Sequence, residues 1–421
     1  SDEEALKALF EKAVRRFESI HAMAITDYES REAFFRDCIL NDEGLRELKE
    51  RFDLWCAIWF WPGEWMDEHV PTPERFYHPT PEIITRVQLL TNKLRFFHWE
   101  LEFPDVFVAG KGGFDAVVGN PPWENIQQNP QEFFSKYNPI FRTLSRMDSL
   151  EWIKNSFKNN INIEKEWLNY NGSFKSFANW VLYSSNPFKN LISSKKYGPK
   201  WIVRLKKGKL FNRDNIPFIL QKGRIFSYKL FLEFSLFVLQ KKGRLGMIVP
   251  AGIYTDEWSK PLRETFLERC QWDWLFGFEN RNKIFTIHSS FKFGVIVLGK
   301  SNSTKFIKCS FLNRDFNNWE SLIPKFLIYS YESIYQFSPQ NTSILEILTN
   351  LDLSILKKIY NNSFLLTEDS ENCWNLKYEL EFMMNSNADL FPPRDYWIDR
   401  GYIADQYGQW VSKFKPDDLV Y

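Results

Sequence analysis

The chain has 421 residues, of which 44% are hydrophobic and 25% are charged. This length suggests two or three domains, and the composition excludes a disordered, a collagen-like or a small disulfide-stapled chain. Aromatic residues make up 18% of the chain, an excess that can serve large cores, partner surfaces or the stacking of nucleic acid bases.

The net charge of +1 conceals three segments of different sign. Residues 1–124 hold 14 Lys and Arg against 24 Asp and Glu, and residues 311–421 hold 9 against 16. Between them, residues 125–310 hold 31 against 13, a net charge of +18. A basic block of this kind can bind a polyanion such as nucleic acid, although a solvated lysine-rich surface is the more common explanation.

Five cysteines and five histidines are spread along the chain without a C-x-x-C or an H-x-x-x-H pair. Their spacing favours neither a disulfide framework nor a metal site. No apolar run reaches the ~20 residues of a membrane span, and residues 1–20 do not resemble a signal peptide. We therefore expect a cytoplasmic protein without a metal and without a membrane partner.

Residues 1–95 are predicted to form an N-terminal helical region. Apolar residues recur at three- and four-residue steps over residues 2–20, which predicts a helix. Helical patterns continue to about residue 61 and place Trp55 and Trp59 on one face. Packing in a helical core is the simplest explanation for these two rings.

The next element is a short apolar run, Phe114-Asp-Ala-Val-Val-Gly119, which comes directly after a glycine-rich turn at residues 110–113. Apolar runs bounded by glycine are typical of buried strands in α/β sheets. Residues 125–225 then change character, being rich in Asn, Lys, Ser and Phe with weak periodicity, and are interpreted as an insertion. The basic block begins with this segment.

After the insertion, helices and strands alternate as they do in α/β sheets. A helix over residues 227–239 is predicted to end at a Lys241-Lys-Gly243 turn. The further elements predicted in chain order are a strand at 245–250, a helix at 261–270, and strands at 272–278 and 293–298.

The most specific feature is Asn120-Pro-Pro-Trp123, directly after the predicted strand. Ligands of open α/β sheets bind at the carboxyl ends of strands. Two prolines stiffen the loop and remove two N–H donors, which leaves the Asn120 side-chain oxygen and the Pro121 carbonyl as acceptors beside one large ring. Two acceptors and a stacking face suit the exocyclic amine of a flipped planar base. Asn-Pro also begins ordinary turns, so the preceding strand is the feature that favours a binding loop.

The run FDAVVGNPPW resembles motif IV of the amino-group DNA methyltransferases, in which Asn-Pro-Pro-aromatic is typical of N6-adenine enzymes. The segment Phe96–Phe107 is similar to the residues that precede this motif in restriction–modification methylases of the Eco57I type, whose relatives include type IIG and phage-defence enzymes. Segments 243–250 and 275–293 are similar to later parts of the same catalytic half, and 374–390 is weakly similar to the entry to a target-recognition region.

The resemblance implies an α/β fold with a partial Rossmann-like class I methyltransferase sheet and double-stranded DNA as partner. Its catalytic set would be Asn120, Pro121, Pro122 and Trp123, with Trp123 stacking on a flipped adenine. Phe291 or Phe293 would supply the opposing ring, although either could belong to the core.

Two other polar residues receive structural roles. His288 is interpreted as an ordinary surface or core histidine, and Asp115 as a hydrogen-bonding residue at the start of the strand. The sequence as a whole predicts three regions: residues 1–95, a catalytic half at 96–300 with its insertion at about 125–225, and residues 301–421 as linker and start of target recognition.

The family uses S-adenosyl-L-methionine, which it binds with a glycine-rich loop upstream of motif IV. The single Gly-x-Gly here is Gly110-Lys-Gly112, directly before the motif IV strand and not at the start of a helix. We therefore expect the chain to be inactive alone. A piece of a larger enzyme, a donor half on another chain and a degenerate copy are all compatible, and the non-Met start and the stop at Tyr421 favour a piece.

Three functions remain open at this point. The first is the target-base-binding half of a site-specific DNA adenine-N6 methyltransferase from a restriction–modification or phage-defence system. The second is a non-catalytic DNA-binding or assembly subunit. The third is a protein glutamine methyltransferase, since these enzymes also use Asn-Pro-Pro-aromatic, but the basic insertion and segment 96–107 make it the weakest.

Overall fold

A computed structural model describes the chain over most of its length. The described residues are 2–66, 69–72, 75–76, 78–107, 112–183, 220, 223–301, 303–316, 326–363, 394–404, 410–412 and 419–420. The predicted similarity at residues 374–390 lies outside these ranges. So does most of the positive charge of the insertion, because residues 184–222, of which Leu220 alone is described, carry 10 Lys and Arg against one Asp.

Helices dominate the amino-terminal part and the insertion, and strands dominate the middle of the chain. The helices are α1 (Asp2–Ala22), α2 (Tyr28–Phe35), α3 (Glu43–Ala57), α4 (Pro81–Leu94), α5 (Trp99–Glu102), α6 (Pro104–Phe107), α7 (Pro130–Phe134), α8 (Arg146–Asn159), α9 (Ile161–Tyr183), α10 (Ser227–Val238), α11 (Gly252–Thr255), α12 (Lys260–Arg269), α13 (Tyr331–Phe337), α14 (Asn350–Asn361) and α15 (Arg394–Asp399). The strands are β1 (Phe114–Gly119), β2 (Leu239–Pro250), β3 (Gln271–Glu279), β4 (Lys292–Gly299), β5 (Phe306–Asn313), β6 (Leu327–Ser330), β7 (Tyr402–Ala404), β8 (Trp410–Ser412) and β9 (Leu419–Val420). No described helix has the length and apolar character needed to cross a membrane.

The predicted N-terminal helical region is present. Helices α3 and α4 pack through a core to which Leu54 and Ile83 contribute, with the rings of Trp61 and Trp65 against it. Helix α4 starts where its sequence indicates, because the Thr80 side chain accepts a hydrogen bond from the N–H of Ile83 at 3.4 Å and Pro81 takes the first helical position.

A buried hydrogen bond between His98 and Asp53 ties this helical region to the segment before β1. His98 Nε2 lies 2.6 Å from Asp53 Oδ1, and Lys49 Nζ lies 2.7 Å from Asp53 Oδ2. Both His98 and Asp53 are buried. Burial alone would raise the pKa of Asp53, but the hydrogen bonds from His98 and Lys49 outweigh it and hold this pKa below its ordinary value.

Six strands form a mixed sheet in the order β1-β2-β4-β3-β5-β6. Strand β1 runs parallel to β2, and β3 runs parallel to β5, whereas β4 is antiparallel to both β2 and β3. The register places Gly119 opposite Met247 and Pro250 opposite Phe293. The predicted α/β class, with a partial Rossmann-like sheet, an N-terminal helical region and an insertion, is confirmed.

Strand β1 has the predicted bounds but a different environment. It lies at the edge of the sheet, with β2 as its sole partner among the described strands. Ala116 and Val118 are exposed, Val118 at 83%. The prediction of a buried strand is therefore wrong for Ala116 and Val118, because no described strand pairs with this edge, although rings of α5 and α6 pack on Phe114 at its start. An apolar strand left open in this way is a surface on which a further strand can pair.

The sequence also misplaces the boundary between α10 and β2. The helix ends at Val238 and the strand begins at Leu239, so Lys241-Lys-Gly243 does not terminate the helix. Instead these residues form an irregularity within β2, between the pairs Phe114–Leu239 and Ala116–Arg244. Lys242 adopts a left-handed φ of 72°, and its N–H donates to the Lys300 carbonyl at 2.8 Å. In the sequence alone, the irregular start of this strand looks like the turn that ends a helix.

The insertion is folded where it is described. Helices α7, α8 and α9 enclose an aromatic core in which Phe133 and Phe134 are buried against the Trp167 ring at centroid distances of 5.0 and 4.7 Å. Part of the aromatic excess of the sequence therefore serves packing within the insertion.

Two compact units divide the chain at Lys357 and Lys358. This division differs from the predicted boundary at residue 300, because β5 and β6 complete the large sheet through pairs such as Leu275–Cys309. The second unit contains α15 and the small antiparallel sheet β7-β8-β9.

Candidate functional site

The predicted motif stands at the edge of the sheet where several strand ends meet. The carboxyl ends of β1, β2 and β3 lie here, together with the amino end of the antiparallel strand β4. Because β1 ends at Gly119, the chain leaves the sheet directly into Asn120. This is the position at which open α/β sheets bind their ligands.

Asn120 presents its side chain to solvent. It is exposed, and its amide makes no hydrogen bond to another described residue. Pro121 is buried and Pro122 is exposed, so the loop is anchored at its second residue. The exposed Asn120 amide therefore offers an acceptor oxygen to solvent.

Backbone hydrogen bonds fix the far end of the same loop against the segment that enters α10. The Ile126 N–H donates to the Ile225 carbonyl at 2.8 Å, and the Ser227 N–H donates to the Glu124 carbonyl at 3.0 Å. The loop that begins at Asn120 is therefore held at both ends.

The Trp123 ring lies among three phenylalanines. Its centroid is 5.5 Å from that of Phe285, 5.9 Å from that of Phe293 and 6.2 Å from that of Phe291. The indole N–H points at the Ile248 carbonyl of β2 in a long hydrogen bond of 3.4 Å. Trp123 is thus oriented by the strand next to β1.

Phe291 and Phe293 occupy different environments. Phe293 is 0% exposed and stacks on Phe278 at 5.2 Å, so its ring is part of the core. Phe291 is 45% exposed and nearly parallel to Trp123, with an interplanar angle of 17°. Of the two predicted opposing rings, Phe291 is therefore the one that a ligand can reach.

A cavity of about 460 Å³ opens beside Trp123 and Phe291. Its further lining residues are Phe226, Tyr228, Pro250, Ala251, Gly252, Thr255, Asp256, Ser290, Lys292 and Glu346. Apolar rings with a few polar groups are typical of small-molecule sites.

The polar groups of the cavity are linked to one another. Lys292 Nζ donates to Glu346 Oε2, and the Tyr254 hydroxyl donates to Glu346 Oε1 at 2.9 Å. This carboxylate is therefore fixed by two donors from two elements, α11 and β4. A fixed carboxylate offers a defined acceptor position at the cavity wall.

A buried lysine lies next to this cavity. Lys229 is 1% exposed, and its Nζ lies 5.4 Å from the Phe226 ring and 5.9 Å from the Tyr228 ring. Burial lowers the pKa of Lys229, against the opposing effect of the Asp256 carboxylate. Burial also raises the pKa of Tyr228, so its hydroxyl stays protonated at neutral pH.

The remaining predicted residues make local contacts. His288 is exposed, and its Nδ1 lies 2.7 Å from Ser290 Oγ. Asp115 accepts a hydrogen bond from the Gln240 side chain across the β1–β2 pair. Neither lies against the Trp123 ring.

Sequence reasoning missed several residues of this site. Tyr228, Lys292 and Glu346 line the cavity, but their contact depends on the pairing of distant segments. Asn280 holds the loop that carries Phe285 and could have been noticed, since it comes two residues after the predicted strand 272–278.

The glycine pair before β1 is not arranged as a loop for S-adenosylmethionine. Gly112 and Gly113 have φ values of +76° and +133°, and they lead into β1 rather than into a helix. A Cβ on Gly113 would lie 2.3 Å from the Val238 carbonyl oxygen, so this glycine serves close packing. Within the described ranges there is also no cluster of three or more His, Cys, Asp or Glu that could hold a metal.

Residues 49–177 match the family model of the Eco57I restriction-modification methylases. The resemblance predicted from the sequence is thereby confirmed over this segment, which contains the Asn120–Trp123 motif. No curated protein matches the chain.

Three solved structures align with parts of the chain. The type IIG restriction endonuclease BpuSI is 18% identical over 32% of this chain and 17% of its own, with a TM-score of 0.24. The M protein of the type I restriction enzyme EcoKI is 16% identical over 28% and 26%, with a TM-score of 0.19. A type I methyltransferase subunit from Streptococcus thermophilus is 14% identical over 82% and 93%, with a TM-score of 0.25. The chain spans about a quarter or less of the first two proteins, and scores at this level carry no argument about function.

Proposed function

From the match to a restriction-modification methylase family, we propose that this chain is the target-base-binding half of a DNA adenine-N6 methyltransferase. Its substrate is an adenine flipped out of double-stranded DNA, and the methyl group comes from S-adenosylmethionine bound outside the described residues. The observation that carries the proposal is the exposed, unbonded side chain of Asn120 at the carboxyl end of β1, one short loop away from the Trp123 ring and its cavity.

The residues of this chain act by positioning. Asn120 Oδ1 and the Pro121 carbonyl accept the two hydrogens of the adenine amine, which localises the nitrogen lone pair and aims it out of the ring plane. Trp123 stacks on one face of the base and Phe291 limits the other. Phe293 supports the Trp123 ring from the core. When bound, S-adenosylmethionine supplies the electrophilic methyl group.

The open edge of β1 supports a donor site on another segment or a second chain. The amine held by Asn120 must lie within bonding reach of the donor, and the free side of β1 leads directly to Asn120. Val118 and Ala116 on that edge are apolar and exposed, which suits pairing with a further strand. By itself the chain is therefore expected not to transfer methyl groups.

One observation favours a second candidate, a non-catalytic DNA-binding or assembly subunit. Gly113 packs against the Val238 carbonyl and leads into a strand, so this glycine pair does not form a donor loop, and such a subunit would need none. In that case Asn120 would be dispensable for DNA binding. The two candidates therefore differ in the effect of Asn120 variants.

The substrate class is tested with single-stranded pentanucleotides, which remove the cost of flipping. We expect the purified chain to bind d(TTATT) more tightly than d(TTTTT) in fluorescence anisotropy at low salt, and not to bind the peptide Gly-Gly-Gln. Asn120→Ala should weaken d(TTATT) binding about tenfold, the ~1.4 kcal/mol of one good contact, whereas Asn159→Ala at another exposed position should not.

Each other outcome has a definite meaning. Equal binding of both oligonucleotides, unchanged by Asn120→Ala, would replace the proposal with the non-catalytic subunit. Preference for the peptide would indicate a protein glutamine methyltransferase.

The location of the donor site is tested separately. Titration calorimetry with S-adenosylmethionine should show no binding to this chain, and an assay with tritiated donor and genomic DNA should show no transfer. Saturable donor binding would overturn the assignment of the chain to one half of the enzyme.

A further inference from the structure

The segment between β3 and β4 is a loop of irregular backbone that returns to its own starting residue. Asn280 comes directly after β3, and its N–H donates to the Phe291 carbonyl at 2.9 Å, one residue before β4 begins. Lys283 takes a left-handed φ of 54°, which turns the chain back. Residues 281–291 therefore form a closed loop with Asn280 at its neck.

The Asn280 side chain fills the inside of this loop. Its Nδ2 donates to the carbonyls of Phe285, Ile287 and His288 at 3.0, 3.1 and 3.3 Å. Its Oδ1 accepts from the Phe285 N–H at 2.9 Å. Asn280 is 0% exposed, so its amide is shielded from water. A single amide that bonds both a donor and several acceptors cannot be replaced by a carboxylate, which only accepts.

The same loop carries two of the rings that surround Trp123. Phe285 meets Trp123 edge to face at 75°, and Phe291 lies nearly parallel to it at 17°. Asn280 therefore holds the backbone of both phenylalanines whose rings lie against Trp123. It bonds the Phe285 N–H and carbonyl through its side chain and the Phe291 carbonyl through its own N–H. Asn280 itself neither lines the cavity nor touches the Trp123 ring.

The distance between Trp123 and Phe291 is informative. Their centroids are 6.2 Å apart, within the range of aromatic pairs in contact. A flat base between two rings needs about 7 Å, since each carbon–carbon contact takes ~3.5 Å. The space between these two rings, here called the aromatic slot, is therefore narrower than a base requires, and Phe291 must move away from Trp123 for a base to enter. A loosely held loop would let Phe291 close onto Trp123 or swing into solvent.

We infer that Asn280 is a positioning residue that sets the width of the aromatic slot between Trp123 and Phe291. The base as the occupant rests on the proposed function, whereas the control of the slot by Asn280 does not. Asn280 acts on the ligand only through Phe285 and Phe291.

The chain offers a matched control at Asn313. This asparagine ends β5 and is also buried, and its Nδ2 donates to the carbonyls of Gly277 and Ser310 at 3.0 and 3.2 Å. It makes no hydrogen bond to residues 281–291. Asn280→Asp and Asn313→Asp therefore impose the same chemical change at two different places. In each, an amide that donates to carbonyl oxygens becomes a carboxylate that can only accept.

Two readouts separate positioning from general stability. Hydrogen exchange of the amides at 283–291 should become at least about tenfold faster in Asn280→Asp, the effect of losing ~1.4 kcal/mol of local protection, and should change less than twofold in Asn313→Asp. Binding of d(TTATT) should weaken about tenfold in Asn280→Asp alone. Similar changes in both variants, or no change in Asn280→Asp, would overturn the inference.

Two further measurements cover other failures. In the wild type, the Phe285 amide should exchange slowly because Asn280 Oδ1 accepts its hydrogen. Fast exchange of this amide would contradict the proposed hydrogen bonds. This measurement needs only the wild type, so it holds even if Asn280→Asp and the smaller Asn280→Ser fail to fold. If the wild type does not prefer d(TTATT), the proposed function fails, but the exchange of residues 283–291 still decides the role of Asn280.

Discussion

Two loops leave the same edge of the sheet, and each begins with an asparagine directly after a strand. Asn120 comes after β1, is exposed and bonds to no described residue, whereas Asn280 comes after β3, is fully buried and uses both atoms of its amide. The difference lies in the next residues of each loop. Pro121 and Pro122 offer no N–H to an asparagine side chain, while residues 283–288 fold back and supply both carbonyls and an N–H. The first asparagine is left exposed, and the second holds its loop.

The largest expected contrast concerns the two phenylalanines at the end of the second loop. Phe293→Ala should lower the free energy of unfolding by about 4 kcal/mol, because a fully buried ring leaves a cavity. Phe291→Ala should lower it by less than about 1 kcal/mol, because its ring is exposed by nearly half. Urea titration measures both, and equal losses would show that Phe291 belongs to the core rather than to the slot.

The two asparagines themselves give the next contrast. Asn280→Ala should cost about 3 kcal/mol of unfolding free energy, because a fully buried amide that bonds several backbone groups of the loop is removed. Asn120→Ala should change it by less than about 0.5 kcal/mol, because nothing buried depends on it. Matched denaturant curves test this. A large loss at Asn120 would mean that its amide stabilises the loop instead of serving a ligand.

An acid titration distinguishes the charged Asp53 carboxylate, which holds His98 and Lys49, from the neutral Asn280 amide, which holds its loop. The pKa of Asp53 is held below the ordinary value of 3.8 by His98 and Lys49, so its contribution to stability is present above about pH 4 and is lost as the pH falls through the lowered pKa. Asn280 uses neutral groups and should add no such dependence. We expect the acid-side fall in unfolding free energy to be shallower in Asp53→Asn than in the wild type, and identical slopes would refute the role of this pair.

The smallest effect is expected at His288. Its side chain is exposed and contacts Ser290 within the loop tip, while Asn280 bonds only its backbone carbonyl. His288→Ala should therefore change the unfolding free energy by less than about 0.5 kcal/mol. Hydrogen exchange at residues 283–291 should also stay within twofold of the wild type. A large loss of hydrogen-exchange protection there would show that the His288 side chain, rather than Asn280, holds the loop closed.

The sequence predicts the features that are determined by residues close together in the chain. The bounds of β1 and the exit of the chain into Asn120-Pro-Pro-Trp123 can be read from an apolar run between glycines and from two consecutive prolines. The long helices α1 and α10 are indicated by their periodicity or apolar content. These features need no information from distant residues.

The parts that fail depend on long-range pairing. An apolar run cannot reveal that β1 lies at an edge, because exposure is decided by which strands pair with it. The Lys241–Gly243 segment looks like a helix end until β4 supplies the Lys300 carbonyl. Phe293 is buried because it lies within β4 and pairs with Pro250 and Phe278, whereas Phe291 lies in the loop just before β4, and only the long-range pairing of these strands shows this.

The central claim is that Asn120 and Trp123 together hold an adenine. Fluorine NMR of the chain labelled with 5-fluorotryptophan tests it most directly, with the Trp123 resonance assigned from Trp123→Phe. We predict that this resonance shifts on addition of d(TTATT) but not of d(TTTTT), and that Asn120→Ala abolishes the shift while the labelled chain stays folded. A Trp123 resonance that responds equally to both oligonucleotides, or to neither, would contradict the account.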